Sequence, residues 1–470
     1  MRILLALALL AGSAGSRPLA AQPVDSTALL LQQLIRVNTS NPPGRTQGIA
    51  DLLGPMFRAR GFEVTVVQTP DSGKVHFFAR LKGNGSRKPV LIAAHVDVVG
   101  VEREKWSLDP FAGEIRDGHV YGRGAIDFKG GAAVFARAAM LLADRKVPLD
   151  RDVIFLAEAD EEAQPLNTTW LAKDHWPLMD AEFALNEGGW IIKRDDGKVQ
   201  YVSISTEDKQ SVMMTLAAKG TSTHSSMPLP DNALITVGKA LAKLSGYDLP
   251  LQFTPESRQY FTALAKTNSG ATAQLFRDLL NGTPDKQAVA DRELSKDPLL
   301  HSLMRGTIAP VIMNAGFRSN VIPGSAEAQV NLRIIPGTDP AALQKTFEQL
   351  FDDPRLTVRV TGRSGPPNAS PQDNPLYRAL AAEAKAQWPE AEVTPYLFQA
   401  GTDAGAWRSR GIPVYGTYPY PITADELTRM HGNDERVSIA SLQQGTEMIY
   451  RTLVRVAAKA ATPKAGAGKR

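Results

Sequence analysis

Five separated stretches of the chain each place a histidine or a carboxylate where a metal could use it. They are Ala-His95-Val-Asp97, Gly122-Arg-Gly-Ala-Ile-Asp127, Asp160-Glu161-Glu162, Asn186-Glu187-Gly188 and Met430-His431-Gly432. Two histidines and three carboxylates among them are the ligand count needed by two divalent cations that share one bridging carboxylate. Hard oxygen and imidazole donors without a thiolate suit zinc, with manganese or cobalt as substitutes. A pair of such ions activates water and polarises a carbonyl, so the chemistry implied is hydrolysis.

The placement of these groups follows from the segments that carry them. The apolar run Val90-Leu-Ile-Ala-Ala94 reads as a buried strand, so His95 emerges at its C-terminal end, where open α/β sheets put their sites. Two residues on, Asp97 can accept a hydrogen bond from the other imidazole nitrogen and fix the tautomer. Asp127 lies in a glycine-rich turn just before a helix, and in isolation it reads first as a helix cap. Glu161 and Glu162 follow a strand that includes Val153 to Leu156, and successive residues there point opposite ways, so one can ligate while the other faces substrate. Asp160 beside them leaves open a plain solvated acidic turn. Glu187 ends a further strand and precedes two glycines that let the backbone crowd a metal.

Strands alternate with helices from residue 26 to about 186, which predicts a three-layer α/β domain with a largely parallel sheet. Predicted helices cover about 26–37, 47–60, 130–145 and 167–174, and strands cover 62–68, 75–82, 90–94, 152–158 and 182–186. After about 208 the order changes to strand 211–219, helix 231–245, strands 307–315 and 325–335, helix 339–352 and strand 356–362. That βαββαβ order is the ferredoxin-like arrangement, so a second domain over 209–363 is inserted in the first. The stretch 248–306 is too long for a loop and is expected to form helical pieces. The catalytic domain, begun at 22–208, resumes over 364–456 and is followed by a basic tail, 457–470.

Residues 1–21 have the pattern of a secretory leader: Arg2, an apolar run from Ile3 to Ala11, then small residues up to Ala21. The run is shorter than the roughly 20 residues that span a bilayer, and the chain has no cysteine for a lipid anchor or a disulfide. A soluble periplasmic or secreted protein is expected, without a membrane partner. Losing Arg2 and Arg17 takes the net charge from +4 to +2, and the tail holds Lys459, Lys464, Lys469 and Arg470. The remaining body is slightly acidic, which excludes a nucleic-acid footprint.

Taken in order, Asn41-Pro-Pro-Gly44, His95-Val-Asp97, Gly122-Arg-Gly-Ala-Ile-Asp-Phe-Lys-Gly130, Glu161-Glu162, Asn186-Glu187-Gly188, Gly220-Thr-Ser-Thr-His224-Ser, Asn320-Val-Ile-Pro323 with Arg333, Gly401-Thr-Asp403 and His431 resemble one family. It is the dizinc metallopeptidase family of aminoacylase, carboxypeptidase G, carnosinase and carboxypeptidase S. The resemblance implies that Asp127 bridges two zinc ions, one also held by His95 and Glu187, the other by Glu162 and His431. It implies Glu161 as the general base for the attacking water, with Asp97 in support, and His224 as an oxyanion donor, often supplied by a partner subunit. Asn320, Arg333 and Gly401 then bind the substrate, whose free carboxylate a guanidinium grips with two parallel bonds. Gln164 departs from the family, which usually has glycine there. The expected function is hydrolysis of a peptide bond next to a free carboxylate, with N-acyl amino acids as the alternative substrates. A homodimer formed through the inserted domain is expected. A non-catalytic protein that kept the fold is the reading from another class, and it sits poorly with a full set of ligands and base. His76, His119, His175 and His301 fit no motif, and Tyr415, Tyr418 and Tyr420 read as packing.

Overall fold

The computed structural model describes residues 25–362 and 368–459; the leader-like segment 1–21 and most of the basic tail lie outside them. Two sheets organise the chain. The larger has ten strands, and its first part runs Glu63–Gln68, Val75–Leu81, Val153–Glu158, Val90–His95, Phe183–Asn186 and Val414–Gly416. Val90–His95 pairs parallel to both Val153–Glu158 and Phe183–Asn186. These three strands are buried on both faces, which is why they read as continuous apolar runs.

Alternation along the strands divides the core into layers. Val90, Ile92 and Ala94 join one apolar cluster with Phe155 and the helix Lys129–Asp144, whereas Leu91 and Ala93 join another with Leu171, Met179 and Trp407. Helices Ser26–Arg36 and Ile439–Ala457 pack beside Lys129–Asp144 on the first face. The first helix begins where Asp25 accepts from the amides of Thr27 and Ala28, a cap that satisfies otherwise unpaired donors.

The smaller sheet is antiparallel, in the order Thr307–Ala315, Ser325–Ile334, Gln210–Lys219 and Leu356–Thr361. Val212, Met214, Leu216 and Ala218 face Val330, Leu332 and the helices Ala233–Leu244 and Pro340–Phe351 in a separate core. The polar alternates, among them Ser211, Asn331 and Arg333, lie on the opposite face.

One expectation changes here. The stretch predicted as helical pieces within the inserted unit forms four helices, Pro255–Thr267, Gly270–Asn281, Pro284–Leu294 and Pro298–Met304. Their buried side chains Tyr260, Phe261, Leu264, Phe276 and Leu279 belong to the core of the large sheet, and the first helix lies against Glu392–Phe398. Amphipathic helices reveal that one face is buried but not against which sheet. Among the described residues no helix is long and apolar enough to cross a membrane.

Candidate metal and catalytic site

At the C-terminal ends of the parallel strands a cavity of about 490 Å³ opens, lined by His95, Asp127, Glu161, Glu162, Glu187 and His431 among others. The strand ends deliver His95 and, one residue beyond Asn186, Glu187. The glycine-rich turn brings Asp127, the turn after Val153–Glu158 brings Glu161 and Glu162, and a loop more than 260 residues later brings His431.

The two oxygens of Asp127 face different histidines. Oδ1 is 3.1 Å from His95 Nε2 and Oδ2 is 3.1 Å from His431 Nε2. Glu187 Oε2 lies 3.4 Å from His95 Nε2, and Glu162 Oε1 lies 3.0 Å from His431 Nε2. Ligand atoms of His95, Asp127 and Glu187 lie mutually within 4.8 Å, and so do those of Asp127, Glu162 and His431; a third such group is His95, Glu161 and Glu162. Two clusters thus share one bidentate carboxylate.

The electrostatics fit cations. Among the described residues the only cationic side chains in contact with Asp127, Glu162 and Glu187 are the two imidazoles. Burial pushes Glu187 up to about 7, and burial together with the Glu187 carboxylate holds Glu161 well above the usual carboxylate range. Burial would lower His95 and His431, yet facing carboxylates raise both, His431 to about 10. Four carboxylates crowded at low dielectric with so little compensation favour the binding of added positive charge.

Supporting bonds differ in part from expectation. His95 Nδ1 donates to the backbone carbonyl of Asp97 at 3.0 Å, not to its carboxylate, whose nearer oxygen is 3.8 Å away. The carboxylate instead accepts from the amides of Glu161 and Glu162, at 3.2 and 3.1 Å, and from Asn41 Nδ2 at 2.6 Å. Asp97 therefore orients the two glutamates and explains the presence of Asn41 nearby. Asp160 is no solvated acid: it is buried against Lys74 and accepts from the amide of Leu166. The glycines after Glu187 are demanded by the protein itself, since a Cβ on Gly189 would lie 2.4 Å from the Ser203 carbonyl oxygen.

Arg333 lines the cavity and, among the described residues, its guanidinium has no hydrogen bond or ion pair; the Glu161 carboxylate acts on it as an opposite charge. A Cβ on Gly401 would sit 3.3 Å from its Nη1, so the missing side chain leaves the guanidinium accessible. His224 and Asn320 lie elsewhere. His224 is exposed, bonded to Ser226 at 2.8 Å, and the amide of Ser225 donates to the Asn320 carbonyl. Eight residue steps along the ladder separate Ser211–Arg333 from the far end Lys219–Ser325, about 27 Å at ~3.4 Å per residue, and His224 lies beyond that end.

Two further features were not legible as motifs. Tyr418 stacks on Trp190 with ring centroids 4.2 Å apart, which fits the packing role, but its hydroxyl is also 3.0 Å from both Asp127 and Glu187. Glu435, fully buried, gathers several donors around the Asp127 turn. An aromatic or an acid in sequence carries no spacing signal for such contacts.

Comparison with known proteins places these features in a family. Residues 91–455 match the model of peptidase family M20/M25/M40. The chain is 27% identical over 401 residues to the N-fatty-acyl-amino acid synthase/hydrolase of Homo sapiens, covering 80% of this chain and 76% of that protein. It is 27% identical over 376 residues to a probable carboxypeptidase S-like protein of Dictyostelium discoideum, covering 78% and 72%. An M20 family metallo-carboxypeptidase from Sulfolobus solfataricus shares the fold, with a TM-score of 0.67, 20% identity and coverage of 92% and 100%.

Proposed function

The chain belongs to peptidase family M20/M25/M40 and is a metal-dependent hydrolase of amide bonds, and on that premise we propose that it uses two zinc ions to cleave dipeptides or N-acyl amino acids beside a free α-carboxylate. The observation that carries this reading is an unpaired guanidinium, Arg333, facing two ligand clusters joined through the two oxygens of Asp127.

One ion is assigned to His95, Asp127 and Glu187, the other to Asp127, Glu162 and His431. When bound, the ions supply Lewis acidity that polarises the scissile carbonyl and acidifies the attacking water. Glu162 is chosen over Glu161 as ligand because its carboxylate reaches His431, whereas among the described residues the Glu161 carboxylate has no hydrogen bond or ion pair. Glu161 takes the water's proton; burial and the Glu187 carboxylate raise its proton affinity toward the range useful to a base. Arg333 pairs with the substrate carboxylate, and Gly401 leaves room for it.

His224 and Asn320 complete the site only if a second chain presents them. Supporting such a dimer, the inserted unit exposes Val311, Ile312 and Phe317 on and after its edge strand, and Leu234 and Ile235 on the helix beside it. A bare apolar edge strand is a pairing surface. The four extra helices, being packed on the large sheet, leave this face uncovered. Export rests on the leader-like residues 1–21 and is tested by sequencing the N-terminus of the protein recovered outside the cytoplasm.

Peptide and N-acyl substrates share the carboxylate side and differ on the acyl side. A hydrolysis screen of dipeptides, longer peptides and N-acyl amino acids with the metal-reconstituted enzyme separates them. Turnover of none of these, with both metals in place, would overturn the reading.

A further inference from the structure

Resting on the two-metal reading, we infer that Arg123 and Glu435 are positioning residues that together set the geometry of the ion site formed by Asp127, Glu162 and His431. Neither lines the cavity, and both are fully buried, so they act through the groups they hold.

Glu435 joins two distant segments. Its Oε1 accepts from the amides of Ile126 and Asp127 at 2.7 and 3.0 Å, and its Oε2 accepts from the amide of Gly124 at 3.0 Å. The same Oε2 accepts from Arg123 Nη1 at 2.7 Å, and the amide of Gly122 donates to the Glu435 carbonyl at 2.9 Å. A single carboxylate thereby fixes the backbone of the turn that ends in the shared ligand. A carboxylate that accepts this many bonds is a strong anchor.

Arg123 extends the hold to His431. Its Nη2 donates to the carbonyls of His431 and Gly432, at 3.2 and 2.8 Å. His431 has φ +59°, a left-handed conformation that a non-glycine residue keeps only when its surroundings impose it. The guanidinium is itself oriented over Trp106, 5.2 Å from the ring centroid.

The other ion site shares the Asp127 turn but needs no hold on a loop histidine. His95 and Glu187 are carried at the ends of paired neighbouring strands, Val90–His95 and Phe183–Asn186, whereas His431 sits on an exposed loop. Arg123 therefore acts on one ion site more than on the other.

The test is zinc titration of chelator-treated protein by calorimetry, with apoprotein thermal unfolding as the control for folding. Wild type should bind two ions; fewer than two would refute the two-metal reading and this inference with it. Arg123→Lys keeps a cation for Glu435 but cannot also reach both carbonyls. It should weaken one ion by about 10- to 100-fold, as loss of an outer partner of a metal ligand does, and leave the other near its wild-type affinity. Glu435→Gln sets an amide group against backbone donors and should weaken this ion at least as much and the other ion too, because the turn it anchors carries the shared Asp127. If Glu435→Gln does not fold, Arg123→Lys decides alone. A folded Arg123→Lys protein that binds both ions as wild type does, or loses both in equal proportion, overturns the inference.

Discussion

Replacing Arg333 with alanine removes the group assigned to the substrate carboxylate and leaves every metal ligand in place. The guanidinium is half-buried and unpaired, so its desolvation has already been met in folding, and a carboxylate that arrives gains two charge-assisted bonds. Truncating one partner of a desolvated, hydrogen-bonded charge pair costs about 2 to 5 kcal/mol. Partial exposure places Arg333 in the lower part of that range, about 2 to 4 kcal/mol, which at 1.36 kcal/mol per factor of ten is a loss of about 30- to 1000-fold in kcat/KM. The assay compares a dipeptide with its C-terminal amide, in wild type and in Arg333→Ala. Wild type should prefer the acid strongly, and the variant should lose that preference while its slow cleavage of the amide stays nearly unchanged. Equal cleavage of acid and amide by wild type, or an equal fall on both in the variant, would refute carboxylate anchoring.

Glu161→Gln should keep both metals and lose most turnover, because it removes the base and no ligand; unchanged kcat would show that the roles of Glu161 and Glu162 are misassigned. Mixing inactive Glu161→Gln chains with inactive His224→Ala chains should restore part of the activity after subunit exchange, since one site per heterodimer then holds both native groups. Chains that exchange yet stay dead would exclude His224 acting in trans. His76 is fully buried between the Leu166 carbonyl and the Ala159 amide, and burial lowers its pKa from 6.5 to about 4. The unfolded chain therefore binds this proton first, so stability is present above pH 6.5 and is lost as pH falls toward 4. Between pH 7 and pH 5 the loss is about 2 kcal/mol. Urea unfolding should show that difference between wild type and a less stable but flatter His76→Gln variant, and parallel curves would contradict it.

Sequence patterns carried what is regular and local. The run Val90 to Ala94 announces a strand buried on both faces, and Asp25 announces the start of the first helix. The strand Val199–Asp208 was missed because its buried Ser203 and Glu207 satisfy the amides of Trp190 and Asn368, so no apolar period survives. The ligand residues were legible through their joint order, but their supports were not. Asp97 serves the glutamate amides where an imidazole partner was expected, and Glu435 stood unremarked three residues after a quoted glycine. A carboxylate that collects backbone amides leaves no spacing rule behind, because its partners are peptide groups that every residue has. His224 and Asn320 were foreseen as site residues, yet a single chain keeps them at the far end of the inserted sheet.

The most direct test of the two-metal hydrolase is to strip the protein with a chelator, add zinc back in measured steps, and follow hydrolysis of the preferred substrate against bound zinc per chain. Activity should vanish on stripping and return fully only as the second ion binds, with His431→Ala stopping at one ion and little activity. Full activity after exhaustive chelation, or full activity at one ion per chain, would contradict it.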